Sequence, residues 1–183
     1  MSARLPDGVR VLCEGRFLTL VDDGGWEYVT RAGVAGIVVI VAITDAGQLV
    51  LVEQHRPAVR RRVIELPAGL VGDTADRRTE DFGEAARREL EEETGYAARE
   101  MVELAEGPVA VGVSDETVRF FHARGLTRVG AGGGDDTEDI TVHEVALGDL
   151  AAFLADGKRR GLDVDAKIFA GLYLIGPVSG ARP

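Results

Sequence analysis

The sequence predicts an α+β fold, in which a mixed β-sheet carries one acidic helix and one or two closing helices. Three observations lead to this prediction: short β-prone segments separated by turn residues, a nearly continuous Val/Ile run at Val34–Ile43, and a helix-forming acidic stretch at Glu84–Gly95. No internal repeat or low-complexity linker interrupts the chain. Its 183 residues fit one domain, or one domain with a small appendage.

The appendage is expected at the N-terminus. Turn residues separate three short β-prone segments there, which predicts an antiparallel meander. The three segments are Val9–Cys13, Phe17–Val21 and Trp26–Thr30. Such a unit is too small to be stable alone, so we expect residues 1–33 to pack on the main domain, residues 34–183, or on a second subunit.

The main domain begins with Val34–Ile43, which is predicted to be a buried strand because its branched apolar residues are nearly continuous. Further strands are predicted at Leu49–Gln54, Val63–Leu66, Met101–Ala105, Val109–Val113, Val118–Ala123 and Ile140–Val145, and helices at Leu147–Ala155 and Asp165–Ile175. Gly130–Asp136 is rich in glycine and acid and is predicted to be a loop. The acidic helix has Asp81 as its N-cap and Gly95 as its stop.

The acidic helix carries three carboxylates on one face. Glu89 lies three residues before Glu92 and four before Glu93, so these side chains meet, whereas Glu84 and Glu91 project from the opposite side. Like charges on one face weaken a helix, and a bound divalent cation reverses that effect. Carboxylate oxygens suit hard cations, which makes Mg²⁺ the first choice and Mn²⁺ a second. Taken alone, the helix fits a solvated acidic face equally well.

The composition narrows the classes of partner. A formal net charge of −10 argues against nucleic acid or an anionic membrane as the main partner. If the ligand is anionic, an acidic protein needs a bound cation to hold it, which agrees with the acidic helix. The single cysteine, Cys13, excludes an internal disulfide and is expected to be buried. With neither a signal peptide nor an apolar run of membrane-spanning length visible, we expect a cytoplasmic protein.

Ahead of the helix, the segment Glu65–Gly69 turns the chain sharply at a Pro and a Gly, and from here the sequence resembles the Nudix hydrolase family. The box of that family is a Gly, five residues, a Glu, seven residues, and then Arg-Glu-aliphatic-any-Glu-Glu-any-Gly-aliphatic. The positions that match in register are Glu80, Arg88, Glu89, Leu90, Glu92, Glu93 and Gly95. Ten residues separate Gly69 from Glu80, which indicates a five-residue insertion in the loop. The resemblance implies a Nudix-type α/β/α sandwich.

Segments outside the box resemble the ADP-ribose and nucleoside-diphosphate-sugar pyrophosphatases of this family. They are Trp26–Tyr28, Gln54–Pro57, Glu65–Gly69, Ser114–Glu116, Glu138–Ile140 and Asp165–Lys167. ADP-ribose pyrophosphatases typically carry a proline sixteen residues beyond the last box glycine, where this chain has Val111. That departure leaves other nucleoside diphosphate sugars open as substrates.

The resemblance implies Mg²⁺-dependent hydrolysis of the diphosphate bridge of a nucleoside diphosphate sugar, so that ADP-ribose would give AMP and ribose 5-phosphate. Glu89 and Glu93 are expected as the principal metal ligands. Glu92 is expected to share a further ion, and the Ala68 carbonyl to complete the shell. The alternative class is a Nudix-like domain that binds nucleotide as a sensor without catalysis.

Substrate contacts are expected from both parts of the chain. Arg56 can place a planar guanidinium on a diphosphate oxygen, and Glu65 is assigned to the same site. Arg31 is a further candidate for a substrate oxygen. Trp26 and Tyr28 fit base stacking, a dimer interface or the core of the meander. We expect a homodimer, because the meander has strand edges and aromatic residues that little sequence of its own can cover.

The catalytic base is expected outside the box, because the box carboxylates on the metal face are occupied. Glu138 and Glu116 are the candidates, and we favour Glu138 because the same segment of similar proteins holds the base. A solvated acidic loop is the alternative interpretation of Glu138. Arg88 is expected to orient a box carboxylate, with Glu84, four residues earlier, as its partner.

Overall fold

The N-terminal part of the chain forms a small antiparallel sheet. The computed structural model describes residues 5–74, 76–134 and 139–176. The first three strands are β1 (Arg10–Glu14), β2 (Thr19–Asp23) and β3 (Trp26–Thr30), in that spatial order. The turn between β2 and β3 is closed by the Gly25 N–H, which donates to the Asp22 carboxylate at 2.7 Å. The predicted meander is therefore present, and β1 at its outer edge is exposed along its whole length.

Two four-stranded sheets build the main body. One has the order β7-β4-β9-β8, and the other has the order β10-β5-β6-β11. Their strands are β4 (Gly36–Ala42), β5 (Gln48–Arg56), β6 (Arg61–Glu65), β7 (Ala68–Val71), β8 (Tyr96–Pro108), β9 (Thr117–Arg128), β10 (Thr141–Ala146) and β11 (Asp163–Val164). Three helices complete the fold: α1 (Phe82–Thr94), α2 (Leu150–Arg159) and α3 (Lys167–Leu174). Both sheets mix parallel and antiparallel pairs, in agreement with the mixed strand pairing predicted for this α+β fold.

Strand β4 lies at the centre of the core because both of its faces are buried. Successive side chains of a strand point to opposite faces. Val38 and Ile40 pack in a cluster with Leu90 of α1, whereas Val39 and Val41 pack in a second cluster with residues of α2 and α3. Burial on both sides explains why this segment is a continuous apolar run rather than an alternating one. Each such side chain contributes about 1.5–3 kcal/mol relative to exposure.

Helix α1 has the termini that the sequence predicts. The Asp81 carboxylate accepts the Gly83 N–H at the start, and Gly95 takes a left-handed conformation at the end, with φ of 73°. Ala85, Ala86 and Leu90 face the sheet and are fully buried. Glu84 and Glu91 are exposed on the other side. Among the described residues, no helix is both long and apolar enough to cross a bilayer.

Three expectations for local structure are wrong. Val109–Val113 is a turn rather than a strand: β8 ends at Pro108, and Val111 is 78% exposed. Ala68–Val71 is a strand rather than part of a turn, because β7 finds an antiparallel partner in β4. Cys13 is exposed, since β1 has no layer above it within the described chain.

Candidate active site

The centre of the site is the contact between strand β7 and helix α1. The Ala68 N–H donates to the Glu93 carboxylate at 3.0 Å, and Glu93 is only 3% exposed. Gly69 lies directly beneath Glu89, because a Cβ at Gly69 would come within 1.9 Å of the Glu89 Cδ. Strand β7 thus holds two box carboxylates against its backbone, and a side chain at Gly69 would occupy the space of one of them.

Arg88 links the remaining carboxylates of the box. Its Nε and Nη2 donate to Glu80 at 2.9 and 3.1 Å, and its Nη1 donates to Glu89 at 2.7 Å and to Glu92 at 3.0 Å. Hydrogen bonds to Glu80, and then the charge of Glu89, raise the pKa of Arg88 above its ordinary value although burial opposes the shift. Arg88 is therefore a fixed cation that holds several like charges together.

The predicted pairing of Arg88 with Glu84 is wrong. Glu84 lies in solvent on α1, whereas Glu80 precedes the helix and is largely buried beside the guanidinium. A bidentate pair that is shielded from water is stronger than an exposed pair one turn apart on a helix. Despite the inserted residues, Glu80 therefore keeps contact with the rest of the box.

The donor set of this cluster fits a hard divalent cation. Glu89, Glu92 and Glu93 supply carboxylate oxygens, and Gly69 lacks the side chain that would displace Glu89. In the described part of the chain, no three His, Cys, Asp or Glu side chains are already arranged as a metal cage. Arg88 instead offsets the charge of Glu89 and Glu92, and the Ala68 N–H donates a hydrogen bond to Glu93. Binding of a cation therefore requires Glu89 and Glu92 to exchange part of their contact with Arg88.

A cavity of about 370 Å³ opens beside the cluster. Ala68 and Gly69 line it on the side of the carboxylates, and Arg31, Arg56 and Lys167 provide positive charge. Apolar side chains, among them that of Val109, form part of its wall. An anionic group that enters the cavity therefore meets cations next to the acidic cluster.

Glu65 orients Arg56 in this cavity. Arg56 donates from Nε and Nη2 to the two Glu65 oxygens at 2.6 and 2.8 Å. Glu65 is 4% exposed, so its charge is compensated inside the protein. Hydrogen bonding to Glu65 raises the pKa of Arg56. Both predicted residues lie in the cavity wall, with Glu65 holding the guanidinium in a fixed plane.

The two candidate bases have different surroundings. Glu116 is paired with Arg31 at 2.8 Å, and its backbone N–H donates to the Ser114 hydroxyl at 3.0 Å. Glu138 lies outside the described residues. The next residue, Asp139, accepts a hydrogen bond from Arg62 at 2.6 Å.

Trp26 and Tyr28, the two aromatic candidates for substrate binding, lie away from the cavity. Trp26 is 62% exposed, which excludes the core of the meander, and Tyr28 is half-buried. Within the described chain, neither belongs to the wall of the 370 Å³ cavity.

Lys167 does belong to the wall of this cavity, and its ammonium group pairs with Asp165. The Asp165–Lys167 segment was noticed in the sequence, but only the fold brings Lys167 beside Arg56.

Comparison with known proteins agrees with this architecture. The family model of the NUDIX domain matches residues 34–162. A solved structure described as an ADP compounds hydrolase superimposes with a TM-score of 0.69 at 22% identity, covering 91% of this chain and 89% of that chain. At that level of identity, the likeness concerns the fold.

Two curated relatives extend the comparison to sequence. An ADP-ribose pyrophosphatase of Mycobacterium tuberculosis is 44% identical over 108 residues, which are 58% of this chain and 50% of that protein. A CMP-5'-(N-acetyl-N-hydroxy-3-aminopropyl)phosphonate hydrolase of Streptomyces rubellomurinus is 32% identical over 181 residues, which are 96% of this chain and 83% of that protein. With the box helix and the matched domain, these similarities establish that the chain belongs to the Nudix hydrolase family.

Proposed function

We propose that the protein is a Mg²⁺-dependent hydrolase that cleaves the diphosphate bridge of ADP-ribose or of a related nucleoside diphosphate sugar. The products are a nucleoside monophosphate and a sugar phosphate. The observation that carries this proposal is the junction of the box carboxylates at Ala68 and Gly69 with a cavity that contains Arg31, Arg56 and Lys167. The ADP-ribose pyrophosphatase among the relatives supports the substrate class.

The side chains divide the work between cation and anion binding. Glu89 and Glu93 would hold Mg²⁺, with Glu92 and the Ala68 carbonyl as further donors. When bound, the ion supplies charge neutralisation at the diphosphate and lowers the pKa of a water molecule. Arg56, held in one plane by Glu65, presents its guanidinium to a phosphate oxygen. Apolar patches in the cavity wall exclude water from these charges, which strengthens the electrostatic interactions between them.

The turn that follows β8 departs from the pattern of the ADP-ribose pyrophosphatases. Val111 stands where ADP-ribose pyrophosphatases typically have a proline, and the turn that contains it also places Val109 in the cavity wall. The relative that aligns over nearly the whole chain is described as acting on a CMP-linked phosphonate. We therefore propose the class of nucleoside diphosphate sugars, with ADP-ribose as the first substrate to test.

We also propose that the protein acts as a homodimer that forms through the N-terminal sheet. Strand β1 is exposed along its length, and Phe17 and Trp26 are exposed on the same small unit. A free strand edge with exposed aromatic side chains is typical of a surface that another chain covers.

The first prediction concerns the metal ligands. Glu93→Gln should lower kcat/KM by about 100-fold or more, because loss of a ligand costs more than the roughly 10–100-fold typical of a group that only orients one. Release of monophosphate from a panel of nucleotide sugars, with Mg²⁺ and with EDTA, gives the measurement. Glu91→Gln on the exposed side of the same helix is the matched control and should keep wild-type activity. Nucleotide binding by the wild-type protein without any Mg²⁺-dependent product would instead favour the sensor alternative.

The second prediction concerns the base. Glu138→Gln should lower kcat by about 10²–10⁴-fold with nearly unchanged substrate binding, and the acidic limb of its pH–rate profile should flatten, because a base acts in its deprotonated form. Glu116→Gln should chiefly raise KM, because it removes the partner of Arg31. A normal Glu138→Gln enzyme beside an inactive Glu116→Gln enzyme would transfer the role to Glu116. If both variants turn over at the wild-type rate, the water must be activated by the metal alone.

The third prediction concerns assembly. Light scattering at micromolar concentration should give the mass of a dimer for the wild-type protein and that of a monomer for Trp26→Glu, because a buried unpaired charge opposes association. Val59→Glu, at an exposed position outside the meander, is the control and should remain dimeric. A monomeric wild-type protein, or a dimeric Trp26→Glu variant, would contradict assembly through this surface.

A further inference from the structure

The connection between β7 and α1 is the part of the box in which this chain departs from the family pattern, by five additional residues. The connection folds back onto the site. The Arg77 N–H donates to the Thr74 carbonyl at 3.1 Å, and the Glu80 N–H donates to the Arg77 carbonyl at 2.9 Å. Glu80 is in turn held by Arg88. The backbone of Arg77 is therefore fixed three residues from a member of the acidic cluster.

The side chain of Arg77 reaches the box carboxylates. Its Nη2 lies 3.6 Å from the Glu92 Oε1, and the two side chains are 36% and 46% exposed. The start of the same connection is also close to the site. Asp73 borders a second cavity of about 360 Å³, which shares Arg31 and Leu70 with the wall of the first. The start of the connection thus borders a cavity next to the first one, and Arg77 lies against a box carboxylate.

We propose that Arg77 is an additional phosphate-binding residue, which the insertion brings to the site and which contributes to the choice of a diphosphate substrate. This inference rests on the hydrolase function proposed above. The pair between Arg77 and Glu92 is half-exposed and longer than a hydrogen bond, so it is weak. A guanidinium in such a weak pair exchanges readily for a phosphate, which accepts two parallel N–H donors.

The neighbouring Arg88 cannot take this role. Its side chain is 16% exposed and is bound to Glu80, Glu89 and Glu92 at once. Glu92 also accepts a hydrogen bond from Arg88 at 3.0 Å, so it keeps a cationic partner when Arg77 turns to a phosphate. A divalent cation at Glu92 would repel Arg77, while a diphosphate held by that cation would attract it. Binding of the ion and binding of the substrate would therefore both favour the transfer of Arg77 from Glu92 to a phosphate.

The test compares Arg77→Ala with Arg77→Lys and with Arg78→Ala. Arg78 is the exposed neighbour on the same connection and serves as the matched control. The probes are ADP-ribose for turnover and an ADP-ribose analogue with a methylene bridge between the phosphates for calorimetric binding in Mg²⁺. Arg77→Ala should raise KM and the Kd of the analogue about tenfold, which corresponds to about 1.4 kcal/mol, with kcat nearly unchanged. Arg77→Lys should recover part of the affinity.

The half-saturating Mg²⁺ concentration and the thermal unfolding midpoint separate this role from others. The unfolding midpoint should be the same for Arg77→Ala and the wild-type protein, and the half-saturating Mg²⁺ concentration should not rise, because a side chain that repels the ion has been removed. Equal dissociation constants of the analogue for Arg77→Ala and Arg78→Ala would overturn the role of Arg77 but not the proposed hydrolase function. A change confined to Mg²⁺ affinity would have the same consequence. A wild-type protein that binds the analogue without hydrolysing any nucleotide sugar would contradict the proposed hydrolase and leave the binding comparison decisive. A wild-type protein that neither binds the analogue nor hydrolyses any nucleotide sugar would overturn both.

Discussion

The close approach of helix α1 to strand β7 at Gly69 is the constraint on which the site depends. No Cβ fits there, because it would lie 1.9 Å from the Glu89 Cδ. The approach is possible because Ala85, Ala86 and Leu90 press α1 onto the sheet, while the Ala68 amide binds Glu93. Apolar packing thus sets the distance, and the missing side chain leaves room for the carboxylate.

The repulsion among the box carboxylates is the second constraint, and Arg88 offsets most of this repulsion. Two like charges about 4 Å apart repel by about 4 kcal/mol at an effective dielectric constant of 20, which is more than one exposed ion pair returns. A single buried guanidinium in contact with Glu80, Glu89 and Glu92 offsets several such repulsions at once. In the proposed metal-bound state, the cation would take over part of this compensation from Arg88.

The elements with strong local signals could be predicted from the sequence. The Val/Ile run gave strand β4, and Asp81 and Gly95 gave the two ends of α1. Strand β7 was missed because Pro67 and Gly69 have the local chemistry of a turn, whereas pairing with β4 decides their conformation. Val109–Val113 has the composition of a strand, but its residues follow Pro108 into an exposed turn, which is closed by hydrogen bonds from the Val113 and Ser114 N–H groups to the Ala110 carbonyl.

The candidate site divides in the same way. Helical spacing brings Glu89, Glu92 and Glu93 onto one face, and this follows from the sequence. The pairs of Arg88 with Glu80, of Arg56 with Glu65 and of Arg31 with Glu116 join residues that are up to 85 positions apart, and only the tertiary fold selects them. Spacing therefore indicates which carboxylates can share a cation, but not which arginine holds each of them.

The most direct measurement is the Mg²⁺ dependence of turnover and the Mg²⁺ affinity of Gly69→Ala, with Gly107→Ala as the control. A Cβ at Gly107 meets no heavy atom within 4 Å. The account predicts that Gly69→Ala keeps a native circular dichroism spectrum and a cooperative unfolding transition, because α1 stays on the sheet through its apolar face. It should bind Mg²⁺ at least about tenfold more weakly and lose turnover accordingly, because Glu89 is displaced. A folded Gly69→Ala protein with wild-type Mg²⁺ affinity and turnover would contradict the account.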